Sequence, residues 1–388
     1  MKRVLPTIVI SQFFCTSLWF AGNAVISDIG KQFDINAEYL AHLASAVQFG
    51  FISGTLIFAI LSISDRFSPS KVFFASAIIA ALFNLAIIIK GIHLSELMIL
   101  RFLTGFFLAG IYPVGMKIAA DHYQQGLGKS LGFLVGALVL GTAFPHLLKS
   151  MTTTLPWKYV IFSTSILSAL GGLAMLLLVP DGPYRKPGQK PNMLAFVKGF
   201  RNNHFRAASL GYFGHMWELY TFWVFVPVML TAYKAYYPDT NMNIPLLSFL
   251  IISSGSIACV ISGLISRTFG EKRIATIALF ISCTCCLISP LLLFNGSLVL
   301  LIIFLFIWGM SVIADSPLFS TLVARNAPEG SKGASLTIVN CIGFSITIVS
   351  IQLIHALANT NNVRYIYMLL AIGPILGLIA LINVKSKI

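Results

Sequence analysis

Charged side chains are scarce in this sequence, in which Asp, Glu, Lys and Arg make up 10% of the 388 residues. A soluble globular protein carries about 25%, so the composition excludes that class. Acidic residues are the rarer charge, with 12 against 26 basic ones. In a soluble chain the net charge of +14 would indicate nucleic-acid binding. Because 57% of the residues are hydrophobic, we instead predict a polytopic membrane protein that contacts the lipid bilayer and binds no nucleic acid.

Cysteine is also sparse, and its placement in apolar runs argues against a disulfide framework. Cys283, Cys285 and Cys286 form a cluster of the ligand type that soft metals prefer. Their own apolar run contains no histidine or carboxylate, and free thiols are among the most buried groups in proteins. We therefore predict packing residues here, with no metal and no cofactor. No glycine-rich ATP-binding loop is present either, which argues against direct coupling to ATP.

Long apolar runs are abundant, and about 20 residues suffice to cross a bilayer. The first run follows Met1–Arg3 and imitates a secretory signal, but it is too long for one, so we predict an uncleaved first helix. Twelve membrane helices are predicted in two sets of six. They are Val4–Ser27, Leu40–Leu61, Val72–Ile89, Leu97–Ala119, Leu127–Leu148 and Trp157–Val179, then Ala207–Thr231, Pro245–Ile265, Ile274–Phe294, Leu298–Leu322, Ala334–Leu357 and Tyr365–Val384.

The basic residues of the loops are distributed unequally between the two sides of the membrane. Nineteen Lys and Arg lie on the side of the two termini and six on the other. By the positive-inside rule, both termini are predicted to be cytoplasmic. The only long linker, 180–206, is basic and lies on the same side. It separates a six-helix bundle at 1–179 from a second bundle at 207–388, and the expected location is a bacterial inner (cytoplasmic) membrane.

An internal repeat supports this division into halves. Ser64–Phe67 in the second loop matches Ser266–Phe269 in the eighth at an offset of 202 residues. Gly110–Pro113 in helix four matches Ala314–Pro317 in helix ten at an offset of 204. Two matches at nearly one offset predict parallel repeats about an axis along the membrane normal, with a site at the midplane between them.

With these features the sequence resembles the major facilitator superfamily over its whole length. The resemblance lies in the six-plus-six helices, the basic central loop and the loop-two signature Ser64–Phe67 with Lys71. Arg101 with Gly105 looks like the family's helix-four arginine motif, which is linked there to proton-coupled transport. The resemblance implies an all-α fold of two pseudo-symmetric six-helix halves, and we expect the protein to be a monomer. The resemblance also implies a cytoplasmic gate between the halves, formed by Asp65, Arg66 and Arg267.

The most informative run is Gly211–Leu230, an apolar helix with Glu218 near its middle. A carboxylate in hydrocarbon costs at least ~2.5 kcal/mol, so it must face a bundle interior, a partner or water. His215 lies three residues before Glu218 and shares a helix face with it, with Tyr212 one turn further back. We predict that His215 and Glu218 meet, with a structural hydrogen bond between helices as the open alternative.

Other polar residues in the predicted spans complete the candidate site. In helix one, Gln12, Thr16, Trp19 and Asn23 recur at spacings of three and four, which predicts one polar stripe along the helix. Deep charges in helices four and ten are expected to face the cavity or to couple protons. The full candidate set for substrate or proton binding is Glu218, His215, Asp315, Arg101, Tyr212, Trp19, Gln12, Asn23, Tyr112 and Asn340.

The resulting hypothesis is a proton-coupled secondary active transporter that moves a small organic solute by alternating access. One buried guanidinium against two carboxylates favours a neutral, zwitterionic or cationic solute. An exporter of amphipathic compounds such as drugs or siderophores remains the alternative within transport. A transport-dead membrane sensor would need a soluble output domain, and no loop is long enough to supply one. A membrane enzyme would need a catalytic constellation in the loops, and none is present, so we predict no enzyme.

Overall fold

The computed structural model describes residues 3–33, 39–123, 127–151, 156–185, 197, 199–328, 332–358 and 362–384. The secondary structure of these residues is helical, without a strand. The chain divides into two compact units, Met1–Pro191 and Asn192–Ile388. The dividing point falls within the predicted central linker, of which 186–196 and 198 lie outside the described residues.

The first unit packs its helices around two close pairs, α4 with α7 and α6 with α10. Glycine permits the first pair, because a Cβ atom at Gly50 would lie 1.9 Å from the Phe102 carbonyl oxygen. Gly105 faces the Val47 carbonyl oxygen in the same way. The helices are α1 (Val4–Thr16), α2 (Ala21–Ala24), α3 (Ile26–Phe33), α4 (Leu40–Ile60), α5 (Ile63–Arg66), α6 (Pro69–Ala86), α7 (Leu94–Leu108), α8 (Tyr112–His122), α9 (Leu127–Met151) and α10 (Lys158–Leu178).

The second unit is organised around one helix of 34 residues, α11 (Asn203–Tyr236). The Asn202 side chain caps it by accepting a hydrogen bond from the His204 backbone nitrogen at 2.9 Å. The remaining helices are α12 (Ile244–Phe269), α13 (Glu271–Leu292), α14 (Leu298–Ala314), α15 (Ser316–Asn326), α16 (Lys332–Leu357), a 3₁₀ turn (Ile366–Ala371) and α17 (Ile372–Ile382). Helices α16 and α17 pack along α11, which places the polar side chains of α11 inside the unit.

Three of the predicted continuous helices are broken. The first run divides into α1, α2 and α3, with i→i+3 turns at Leu18 and Trp19. Helix four divides at Ala109–Ile111 and helix ten at Asp315. Proline explains the last two breaks, because Pro113 and Pro317 lie in the first turn of α8 and α15, where a proline cannot continue the preceding helix. The repeated four-residue motifs therefore mark equivalent breaks in the two units.

Helices of the described residues overlap each of the twelve predicted segments. Nine of these segments are long and apolar enough to cross a membrane when α7 is counted with α8 and α14 with α15, while Val4–Thr16 and Ile366–Ile382 are apolar but shorter. Helix α11 has sufficient length but is not among the nine, because its polar residues lower its hydropathy. The chain is thus an all-α membrane protein, and twelve crossings stay a prediction.

Candidate functional site

A buried acid–base contact lies in the second unit, between α11 and the break that precedes α15. His215 Nδ1 is 2.7 Å from Asp315 Oδ1, and each side chain is 1% exposed. The predicted partner of His215 was Glu218, so this part of the interpretation is wrong. Three residues along a helix rotate a side chain by about 300°. His215 and Glu218 therefore point about 60° apart, and each reaches a different neighbouring helix.

Glu218 has its own partners, on α13 and α14. Its Oε1 atom accepts a hydrogen bond from Trp308 Nε1 at 2.6 Å and another from the Cys286 thiol at 3.2 Å. Its Oε2 atom is buried and has no hydrogen-bond partner within the part of the chain that the structure describes. One thiol of the α13 cluster thus contacts a carboxylate from a different helix. The sequence around the cluster contains no carboxylate and could not predict this contact.

Aromatic rings surround these two polar contacts. The Tyr212 ring lies 5.9 Å from the His215 ring and the Phe319 ring lies 6.1 Å from it on the α15 side. Phe222 packs against Trp308 with ring centroids 4.8 Å apart. The structure therefore brings Tyr212, His215, Glu218 and Asp315 into one buried polar core. Asn340, predicted for the same site, is half-buried on α16.

In the first unit, Arg101 is buried and binds main-chain oxygens. Its Nη2 atom donates to the Trp19 carbonyl at 2.6 Å and to the Leu18 carbonyl at 3.3 Å, and its Nη1 atom donates to Asn84 Oδ1 at 3.2 Å. These carbonyls lie at the break between α1 and α2, where helical hydrogen bonding is interrupted. No carboxylate pairs with Arg101 among the described residues. A Cβ atom at Gly22 would lie 3.2 Å from Nε, so the glycine gives the guanidinium its space.

The predicted polar stripe of the first helix does not form on one continuous helix. Gln12 lies on α1, Trp19 in the break and Asn23 on α2. The Gln12 side chain is fully buried, and its amide oxygen and nitrogen lack hydrogen-bond partners among the described residues. Tyr112, also predicted for the site, starts α8 beyond the break that follows α7 and is half-buried. The breaks rotate these side chains away from the helical register that the sequence predicts.

The predicted gate residues lie at one end of each unit. Lys117 Nζ is 3.0 Å from Asp65 Oδ1 and 3.4 Å from Asp121 Oδ2. Asp65 thus pairs with a lysine of α8. Arg66 is exposed. Arg185 donates hydrogen bonds to the Asp65 and Phe67 carbonyls at 3.1 and 2.7 Å.

The second unit has an ion pair at the corresponding place. Both Nη atoms of Arg325 lie 2.9 Å from the oxygens of Glu271, while the predicted Arg267 is exposed. In the first unit α5 is therefore tied to α8, and in the second unit the start of α13 is tied to the end of α15. Neither Arg325 nor Glu271 was among the predicted gate residues.

Several engaged residues were absent from the predicted site. Trp308 lies seven residues before Asp315, two helical turns away on the same face, so the helical periodicity could have placed it near the site. Asn84 is an isolated amide in an apolar run and Lys117 is four residues from Asp121, so each also had a signal in the sequence. Cys286 had none. No cluster of three or more possible metal ligands is found in the described residues.

The family model described as Major Facilitator Superfamily matches residues 8–351. The crystal structure of the human organic anion transporter MFSD10 (TETRAN) superposes with a TM-score of 0.74 at 13% identity, covering 98% of this chain and 99% of that one. Comparison with curated proteins gives no match.

Proposed function

The chain belongs to the major facilitator superfamily of membrane transporters, and from this premise we propose that it is a proton-coupled secondary active transporter. It moves a small organic solute across the membrane by alternating access between its two halves. The membrane is a bacterial inner membrane, both termini are cytoplasmic, and the working unit is a monomer. Asp65, Arg66 and Arg267 contribute to a cytoplasmic gate.

The observation that carries the proposal is the buried acid Glu218. A carboxylate deep in a membrane helix is costly and ordinarily marks an ion or substrate pathway. Glu218 is fully buried, and one of its two oxygens has no partner among the described residues. Trp308 and Cys286 hold the other oxygen in place, so the group is oriented yet incompletely satisfied. This arrangement suits an acid that takes up and releases a proton during each transport cycle.

The solute is proposed to be neutral, zwitterionic or cationic. The two Nη atoms of Arg101 are already engaged by main-chain carbonyls and Asn84, which leaves no bidentate face for a carboxylate. The second unit contributes the carboxylates Glu218 and Asp315 and aromatic rings, a set that favours amines or uncharged groups. The human neighbour carries organic anions, but at 13% identity its likeness supports the fold and not the solute.

The proposal is tested first without a solute. Protonation of Glu218 changes the hydrogen bond that Trp308 donates, so tryptophan emission of the purified protein is expected to titrate with pH. The change should be lost in Trp308→Phe and in Glu218→Gln, and it should persist in Glu271→Gln, a control acid in a peripheral ion pair with Arg325. Emission that titrates unchanged in Glu218→Gln would remove Glu218 from proton binding.

Transport is tested next, in proteoliposomes with and without an imposed pH gradient. A thermal-shift screen of metabolites, siderophores and drugs identifies the solute, because a ligand of the folded state raises its apparent stability. Glu218→Gln keeps shape and hydrogen bonding but cannot titrate. It should abolish gradient-driven accumulation while solute binding persists. Full accumulation by this variant would instead indicate a structural hydrogen bond.

A further inference from the structure

The break between α14 and α15 has an unusual arrangement at its first residue. Asp315 occupies the N-cap position of α15, and its carbonyl accepts hydrogen bonds from the Leu318 and Phe319 backbone nitrogens at 3.0 and 2.9 Å. An aspartate at this position ordinarily uses its side chain to cap the helix. Here the side chain makes no capping hydrogen bond. Its carboxylate turns instead to His215 Nδ1 on α11, 2.7 Å away.

Helix α11 also holds the first turn of α15 by packing. The Phe319 ring lies against the His215 ring, 6.1 Å away. Gly211, one turn before His215, receives the same ring, because a Cβ atom there would lie 2.5 Å from Phe319 Cε1. Two contacts from α11 thus reach the break, one with the Asp315 carboxylate and one apolar. Of these two, only the contact with the carboxylate responds to a proton.

The equivalent break in the first unit lacks this feature. Between α7 and α8 the repeat places Ile111 where the second unit has Asp315, and Pro113 where it has Pro317. Ile111 is fully buried and carries no charge. The two breaks therefore share their backbone cause but differ in the side chain that holds them. This difference supplies an internal control within the same molecule.

We propose that the His215–Asp315 contact is a proton-operated latch on the break between α14 and α15. With Asp315 ionised, its attraction to His215 keeps the first turn of α15 fixed against α11. A proton added to the Asp315 carboxylate removes its negative charge and weakens that attraction, and the break is then free to change its angle. The inference rests on the proposed proton coupling and deepens it: Asp315 performs the conformational step, whereas Glu218 is the coupling acid proposed above.

Other titratable groups surround the latch, and the test must separate them from it. Tyr212 lies beside His215 on α11. Glu218 on α11 and the Cys259 thiol on α12 are close enough for their charges to interact with Asp315. From α13, the Cys286 thiol faces Glu218. Helix α16 presents Gly343 to Tyr212. The carboxylate of Glu218 is the competing acid and requires its own variant.

Hydrogen–deuterium exchange of the purified full chain in detergent tests the latch at several pH values. Exchange is corrected for its intrinsic pH dependence and compared in peptides covering 311–319 and 107–115. Acidification should accelerate exchange in 311–319 by about tenfold or more, since a buried carboxylate that loses its charge contributes less to holding its surroundings closed. The control peptide 107–115 should not respond. Asp315→Asn should exchange rapidly in 311–319 at every pH.

Two further variants keep the test decisive. His215→Gln removes the partner and should also give rapid, pH-independent exchange in 311–319, and it replaces Asp315→Asn where that variant does not fold. Glu218→Gln should retain the pH response of the peptide. Equal pH responses at both breaks, or a response lost in Glu218→Gln, would overturn the latch. Loss of gradient-driven transport without a pH response at the break would leave the proposed function standing and reject the latch alone.

Discussion

Substitution of Gly105 by alanine tests the packing that places Arg101. Gly105 lies on α7 against α4, and a Cβ atom added there would be 1.9 Å from the Val47 carbonyl oxygen. An ordinary contact begins at 3.4 Å, so the two helices must separate locally by about 1.5 Å. The obstructing atom belongs to the main chain and cannot rotate away. Gly105→Ala therefore forces α4 and α7 apart.

The movement reaches the site because Arg101 lies one turn before Gly105 on the same helix face. Its shortest hydrogen bond, from Nη2 to the Trp19 carbonyl, is 2.6 Å long. Any movement of α7 away from α4 carries Arg101 with it and lengthens this hydrogen bond. Overpacking costs about 1–3 kcal/mol, and a weakened hydrogen bond to a charged group adds about 1.5–3 kcal/mol. We expect the free energy of unfolding to fall by about 3 kcal/mol or more.

Thermal unfolding of the purified protein in detergent measures the effect, with Gly263→Ala as the matched control. Gly263 lies inside α12, and a Cβ atom there would meet nothing within 4 Å. Alanine favours a helix over glycine by about 0.8–1 kcal/mol, so the control should unfold at an equal or higher temperature. Gly105→Ala should unfold at a temperature lower by about 5 °C or more. Equal unfolding temperatures for the two variants would refute the reasoning from the α4–α7 contact.

Two predictions concern the gate and the topology. Asp65→Asn should lower turnover more than solute binding, because Asp65 binds Lys117 at one end of its unit and affects the balance between conformations without touching the solute. Transport rates and binding affinity are compared in proteoliposomes, and normal rates with lost binding would contradict this prediction. Lys234→Cys should react with a membrane-impermeant thiol reagent added outside, whereas Gly188→Cys should be protected; the reverse labelling pattern would overturn the predicted orientation.

The sequence identified the class of the molecule and the residues that are expensive to bury. Hydropathy predicted a membrane protein of many helices, the resemblance to the major facilitator superfamily implied its all-α fold, and the family match over 8–351 confirms this family. The same patterns singled out Arg101, Glu218 and Asp315, because a charge inside an apolar run needs a polar partner wherever the helix packs. The structure gives each of the three such a partner.

The sequence also contained the cause of two helix breaks without revealing that they were breaks. Pro113 and Pro317 belong to the repeated motif, but proline is tolerated in membrane helices where neighbours satisfy the freed main-chain groups. A kink and a complete break thus have the same local signal. The break after α1 has no proline, and Arg101 from α7 supplies the hydrogen bonds that stabilise its carbonyls.

Only the tertiary structure decided which side chains meet. His215 and Glu218 are close in sequence but have different partners. His215 contacts Asp315 at the junction of α14 and α15, about 100 residues away, and Glu218 accepts a hydrogen bond from Trp308 on α14, about 90 residues away. Periodicity fixes the direction of a side chain relative to its own helix axis. It contains no information about which other helix lies in that direction, because this depends on how all helix surfaces, including the glycine contacts of α4, α7 and α11, fit together.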